Sequence, residues 1–330
     1  MASPLVSITM PAYNREDSIG RALDSALAQT FEDFEVVVVD DGSRDATLAV
    51  AHGYAERDPR VKVFRNERNL GIARTRNHAL SRSTGRYITP LDSDDAFVPH
   101  RLERLVATAA ETGADLVSDD LALLHEGEDE PWSTLSRVCD EELDGPTEFD
   151  LADLLQRLGF ERMGIALGLT KPLVRRQFLL DHGIEYDTTL QVVEDYWLLA
   201  DCLTAGARFV MIPEANYVYH QGRQHTTLQA DSARDLDSTK RRLEALLARP
   251  DITDERARRW MRHHCKRVER LAAHRRLTDL ARSHDFVAAS RYAIAEPKAV
   301  VETVSQVPAI LQRRYRRYVR HDEWAYDPIG

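Results

Sequence analysis

A chain of 330 residues, 43% hydrophobic and 30% charged, holds enough apolar material for one full core plus an appendage. Its formal charge is −10, and no nucleic-acid partner is expected. No stretch approaches eighteen consecutive apolar residues and Met1-Ala2-Ser3-Pro4 lacks the basic-then-apolar order of a signal peptide, so a cytoplasmic protein is expected. Cys139, Cys202 and Cys265 are far apart and in no CxxC pairing, which predicts neither a disulfide framework nor a zinc site.

The first hundred residues alternate short β-branched runs with helix-period segments, the pattern of a parallel sheet wrapped by helices. Strands are predicted near 6–10, 35–39, 60–64 and 87–91. Ile19, Ala22, Leu23, Ala26 and Leu27 recur at i, i+3, i+4, i+7 and i+8, so one helical face can cover a sheet, with Asn14 as its expected cap. Further helices are predicted through 45–56, 72–83 and from Pro99. Between about 125 and 150 the sequence is acidic and patternless, which predicts a loop or insertion. A helix over 194–205 and a strand over 208–212 follow.

After about 235 the pattern is almost purely helical, with one stripe through Trp260, His264, Val268 and Leu271. Another runs through Val300, Val304, Val307, Leu311, Tyr315 and Tyr318, with a break possible at Pro308. Residues 255–320 hold 17 Lys or Arg against 6 Asp or Glu, a net of +11, so the remainder carries −21. Arg313, Arg314, Arg316, Arg317 and Arg320 adjoin the second stripe. The stripe therefore has three readings: packing on the preceding domain, packing on a second copy in a homodimer, or peripheral membrane contact through 300–320 at the inner face of the membrane.

Two acidic clusters carry the chemistry. Tyr87-Ile88-Thr89-Pro90-Leu91 runs into Asp92-Ser93-Asp94-Asp95, three carboxylates at one strand end. A hard divalent cation bridging a diphosphate would relieve their repulsion, whereas a solvated turn or a helix cap needs no ligand. The second cluster, Val39-Asp40-Asp41-Gly42-Ser43, could accept hydrogen bonds from a ribose or an imide base, or simply form an Asp-Gly turn. Neither GxGxxG after the first strand nor GxxxxGK[ST] is present, which argues against a dinucleotide cofactor or a P-loop.

Four segments in order resemble glycosyltransferase family 2, the inverting enzymes with the GT-A fold. They are Met10-Pro11-Ala12-Tyr13-Asn14, Val39 to Thr47, Asn69-Leu70-Gly71-Ile72-Ala73-Arg74-Thr75-Arg76-Asn77, and Leu91-Asp92-Ser93-Asp94-Asp95 as a DxD motif. Val193-Glu194-Asp195-Tyr196-Trp197 resembles the family's ED motif. The resemblance implies a Rossmann-like mixed, mostly parallel sheet with helices on both faces. Residues 1–234 would form the catalytic domain, nucleotide-sugar binding to about 120 and acceptor side beyond, and 235–330 a helical C-terminal extension.

It implies Pro11 and Tyr13 as walls of the base pocket, Asp41 as the uracil-type contact, and Asp92 and Arg74 as donor contacts. Asp94 would bind Mn²⁺ or Mg²⁺, Asp195 would be the catalytic base and Glu194 its helper. His220 as a metal ligand and Arg223 as a nucleotide-sugar contact would come from a loop closing over the diphosphate, with His225 the alternative to His220. The expected reaction is hexosyl transfer from a nucleotide-diphosphate sugar, UDP-sugar first, to a saccharide or lipid-linked acceptor in surface polysaccharide synthesis. Two rivals are a nucleotidyltransferase, which should show a Gly-rich basic loop where Pro11-Ala12-Tyr13-Asn14-Arg15 stands, and a non-catalytic sugar-nucleotide binder, which would not need Glu194-Asp195.

Overall fold

The computed structural model describes residues 3–158, 166–190, 193–221 and 233–305. The described chain forms two units, one up to residue 221 and one from 233 onward.

The first unit begins with β1 (Val6–Ala12), α1 (Ile19–Leu27), β2 (Phe34–Asp40), α2 (Thr47–Arg57), β3 (Val61–Arg65), α3 (Ile72–Arg82) and β4 (Tyr87–Pro90). It continues through β5 (Ala96–Phe97), α4 (Arg101–Thr112), β6 (Leu116–His125), β7 (Ser133–Thr134), α5 (Leu135–Val138), β8 (Thr147–Phe149) and α6 (Leu151–Gln156). After β9 (Leu173–Arg175) and α7 (Arg176–His182) come α8 (Glu194–Thr204) and β10 (Phe209–Gln221).

One sheet runs in the order β3-β2-β1-β4-β9-β6-β10-β5, with β7 on β6 and β8 on β10. β1 and β2 are buried along their whole length, which is why Val36-Val37-Val38-Val39 reads as a continuous apolar run rather than an alternating one. Ile19, Ala22, Leu23 and Ala26 of α1 are buried, as their spacing requires.

β3, β2, β1 and β4 are mutually parallel. β9 is antiparallel to both β4 and β6, so β6 points the same way as β4, and β10 lies parallel to β6. All six parallel strands therefore end on one edge. That edge collects Asp40 at the end of β2 with Asp41 just beyond it, Asp92 to Asp95 after β4, and His220 and Gln221 at the end of β10.

Three expectations need correction. Asn14 does not cap α1: it sits at φ 51, its Oδ1 accepts from the Arg44 N–H at 3.0 Å, and Ser18 is the N-cap residue. The strand expected to stop at 212 continues to Gln221, because Pro213 falls in an irregular stretch where the register against β6 shifts between Met211 and Ala215. The acidic segment 125–150 is not featureless. β7, α5 and β8 form there, with Leu135 and Phe149 buried.

The second unit consists of α9 (Ala233–Ala248), α10 (Glu255–Arg282), α11 (Phe286–Ala295) and helical residues 297–305. α9 and α11 pack on α10, whose Ala257, Met261, His264, Val268 and Ala273 are buried. Lys240 reaches Glu269 at 2.8 Å, and Arg267 reaches Glu302 at 2.5 Å. Trp260 and Leu271 of the first predicted stripe are half-buried. Val300 and Val304 are exposed, and the rest of the second stripe, from Val307 through Pro308 to Arg320, lies outside the described residues. Among the described residues no helix is long and apolar enough to cross a membrane.

Candidate active site

At the end of β2 the chain turns out through Gly42 at φ 72. A Cβ there would lie 2.7 Å from the Arg68 backbone, so the turn and the 66–71 segment approach as closely as glycine permits. Asp41, 3% exposed, grips that segment. Its Oδ1 accepts from Asn66 Nδ2 at 2.8 Å and the Leu70 N–H at 2.9 Å, and its Oδ2 from the Gly71 N–H at 3.0 Å. A carboxylate has about four acceptor positions, so these three bonds leave one for a ligand. Pro11 is buried in β1, and Tyr13 just beyond it is 38% exposed.

Arg74 is exposed on α3, while Arg76, two residues on, points into the protein and is 3% exposed. Its Nη2 bonds Asp92 Oδ1 at 2.8 Å and Asp195 Oδ2 at 3.2 Å, and its Nε bonds Glu194 Oε1 at 3.2 Å. Lys171, 6% exposed, adds a second cation: Nζ lies 2.5 Å from Asp195 Oδ2 and 3.1 Å from Asp92 Oδ2. The Lys171 carbonyl is held in turn by Arg101 Nη2 at 2.6 Å, and Arg101 pairs with the fully buried Asp119.

Five charges thus converge from four separated places in the chain. Burial alone would raise the Asp92 carboxyl, but Arg76 and Lys171 outweigh it and hold it well below the usual carboxylate range. Glu194 goes the other way, pushed up by burial and by the adjacent Asp195 against the pull of both cations. Asp195 Oδ2 is pinned by Lys171 and Arg76, whereas its Oδ1 is buried without a hydrogen-bond partner among the described residues.

The other two acids of the strand-end cluster differ sharply. Asp95 is 1% exposed and faces inward, accepting from the Tyr217 hydroxyl at 2.6 Å and the His220 N–H at 2.9 Å. Burial, with Asp94 and Asp92 nearby, raises its carboxyl well above the ordinary range. Asp95 therefore ties the end of β4 to β10. Asp94 faces outward, its carboxylate 36% exposed and 3.4 Å from Arg15 Nε, and its carbonyl accepts from Arg21 Nη2 at 2.7 Å.

Burial and Arg21 lower the His220 imidazole to about 4, so the ring is neutral at pH 7, and Nδ1 has no partner among the described residues. Among the described residues no group of three or more His, Cys, Asp or Glu side chains is arranged to hold a metal. Asp94 still suits a cation carried mainly by diphosphate oxygens and water, which asks only one or two carboxylates of the protein. Arg223 and His225 lie outside the described residues.

Residues 7–171 match the pattern of Glycosyl transferase family 2. Over 319 residues the chain is 32% identical to the succinoglycan biosynthesis protein ExoO of Rhizobium meliloti, covering 96% of this chain and 88% of that one. This protein belongs to glycosyltransferase family 2. A second Rhizobium meliloti relative, the succinoglycan biosynthesis protein ExoU, is also 32% identical, with 94% and 89% coverage.

The fold of this glycosyltransferase is of the GT-A type. It superposes on S. aureus TarS 1–349, solved with UDP-GlcNAc, with a TM-score of 0.61 at 21% identity, over 90% of this chain and 79% of that one. The mannosyltransferase PcManGT of Pyrobaculum calidifontis, solved with GDP-Man and Mn²⁺, gives 0.56 at 17% identity, with 92% and 84% coverage.

Sequence reasoning missed the two buried cations of the glycosyltransferase's carboxylate cluster, Arg76 and Lys171. Arg76 had a usable signal, because Ala73, Arg76 and Ala79 fall on one buried face of α3, where a charge needs a partner. Lys171, between Thr170 and Pro172, has no such periodic context.

Proposed function

We propose that this glycosyltransferase moves a hexose, with inversion, from a UDP-sugar to a saccharide or lipid-linked acceptor in surface polysaccharide synthesis, as the names of its relatives suggest. The observation that carries the mechanism is the asymmetric Asp195. One oxygen is fixed by Lys171 and Arg76, and the other is buried with no hydrogen-bond donor among the described residues. An unpaired buried carboxylate oxygen is unfavourable in the resting protein and is satisfied when an acceptor hydroxyl donates to it.

Asp195 then takes that proton as the acceptor oxygen bonds to the anomeric carbon. The bond from that carbon to the diphosphate breaks, and its electron pair leaves with the nucleotide diphosphate. Asp92, rigid between two cations, faces the donor, and Asp41 with Pro11 and Tyr13 forms the base and ribose end. Arg74 and Arg223 remain proposed donor contacts. A Mn²⁺ or Mg²⁺ ion would be held by Asp94, with His220 as a second ligand, and would neutralise charge on the departing diphosphate.

The test is turnover and donor binding in Asp195→Asn, with Mn²⁺ and a panel of nucleotide sugars used first to find the donor. Turnover should fall by roughly 10²–10⁴ while donor affinity stays near wild type. Full kcat in Asp195→Asn with saturating acceptor would place the base elsewhere.

A further inference from the structure

Trp132 is exposed by 44%, yet it is held firmly. Its N–H donates to the Leu123 carbonyl at 2.9 Å, and its indole Nε1 donates to Gln221 Oε1 at 2.8 Å. One face stacks on His125, with centroids 5.4 Å apart and planes 11° from parallel. With its single donor satisfied and one face covered, the ring presents a fixed apolar surface to water.

Its place in the fold gives the surface a use. Trp132 stands beside the ends of β6 and β10, on the edge where Asp92 and Asp94 follow β4. Ile88 of β4 and Leu116 of β6 are both level with Val174 of β9, so β6 runs on past the end of β4, and the link from the indole to the strand-end acids is through β10. Gln221, which fixes the indole, follows His220, whose N–H is bound to Asp95.

The chemistry of the occupant follows from the surroundings. A flat aromatic face with no free donor fits the C–H face of a pyranose ring. Glu126, Glu128, Asp129 and Glu130, all exposed just before Trp132, would repel an anionic ring and accept hydrogen bonds from sugar hydroxyls. We propose that Trp132 is the floor of an acceptor subsite for an uncharged pyranose, some distance along the acceptor from the reacting hydroxyl. The proposal rests on the glycosyltransferase reading of the carboxylate site.

Calorimetric titration of the full chain with neutral tetrasaccharides (cellotetraose, maltotetraose and a β-galactotetraose), and with tetragalacturonate as the acidic counterpart, tests it. At least one neutral tetramer should bind in the millimolar range. Trp132→Ala should weaken it about tenfold, equivalent to about 1.4 kcal/mol, and Trp132→Phe should weaken it less. Tetragalacturonate should bind more weakly than the neutral sugar.

The Mn²⁺-dependent shift of melting temperature by UDP should be equal in wild type and Trp132→Ala, which reports an intact fold and donor site. Equal sugar binding in wild type and Trp132→Ala, no binding of any neutral tetramer to wild type, or tighter binding of tetragalacturonate would overturn the subsite. A wild type that gives no UDP shift but binds the sugars would instead overturn the donor reading on which the subsite rests.

Discussion

Replacing Lys171 with Met isolates what the buried charge cluster contributes. Wild type sets Asp92, Glu194 and Asp195 against Arg76 and Lys171, and the substitution leaves three carboxylates facing one guanidinium. Lys171 is 6% exposed, so water does little to screen the loss. Removing one partner of a buried pair costs about 3–5 kcal/mol, which at roughly 2–4 °C per kcal/mol lowers the melting temperature by about 10 °C. Arg104→Ala is the control, because the Arg104–Glu214 pair is 46% and 37% exposed and should matter by less than about 1 kcal/mol.

The pH dependence has a definite sign. Asp92 is depressed in the folded state, so its contribution is present above the unfolded value near 3.9 and is lost as pH falls through the folded one. The melting difference between Lys171→Met and wild type should be full at pH 6 and should narrow below about pH 4. Differential scanning calorimetry across that range reads both effects. Turnover below the melting range should fall at least tenfold, because Asp195 Oδ2 loses its shortest contact. A variant melting within about 2 °C of wild type at pH 7, or a gap unchanged in acid, would refute the reasoning.

Asp94→Ala should remove the Mn²⁺-dependent part of UDP affinity, measured by calorimetry, and leave the metal-free melting temperature unchanged; undiminished transfer in chelator would contradict it. Glu194→Gln should raise the melting temperature at pH 8. The Glu194 carboxyl is raised in the fold, chiefly by burial, so its stabilising neutral form is complete below about 4.3 and is lost as pH rises. The gain should vanish by about pH 4, and a variant less stable than wild type at pH 8 would show that the pairing with Arg76 outweighs burial.

Much of the fold over the first hundred residues was legible because its signals are local. The β2 run ending in two acids and a glycine, and the β4 run ending in three, each state strand and exit within ten residues. The helical face of α1 lay in a single window. What could not be read locally needs the topology. Arg76 meets Asp195 across 119 positions, and no period in either segment encodes that meeting. The neighbours Arg74 and Arg76 look equivalent in a motif, yet only one lies on the buried face of the helix. Asn14 misled because its residue type suits a cap, while its left-handed backbone and the nearby Arg44 N–H gave the side chain another partner.

The same geometry limits how far motif roles can be assigned one residue at a time. Asp92, from the DxD segment after β4, and Asp195, from the first turn of α8, bond the same nitrogen of Arg76 and the same ammonium of Lys171. Neither carboxylate can be neutralised without changing what the shared cations offer the other, so substitutions at the two positions are coupled rather than additive. The charge of the proposed donor contact and the position of the proposed base are therefore properties of one buried cluster. Its two cations, one inside a motif segment and one in no motif, are more deeply buried than the acids they serve.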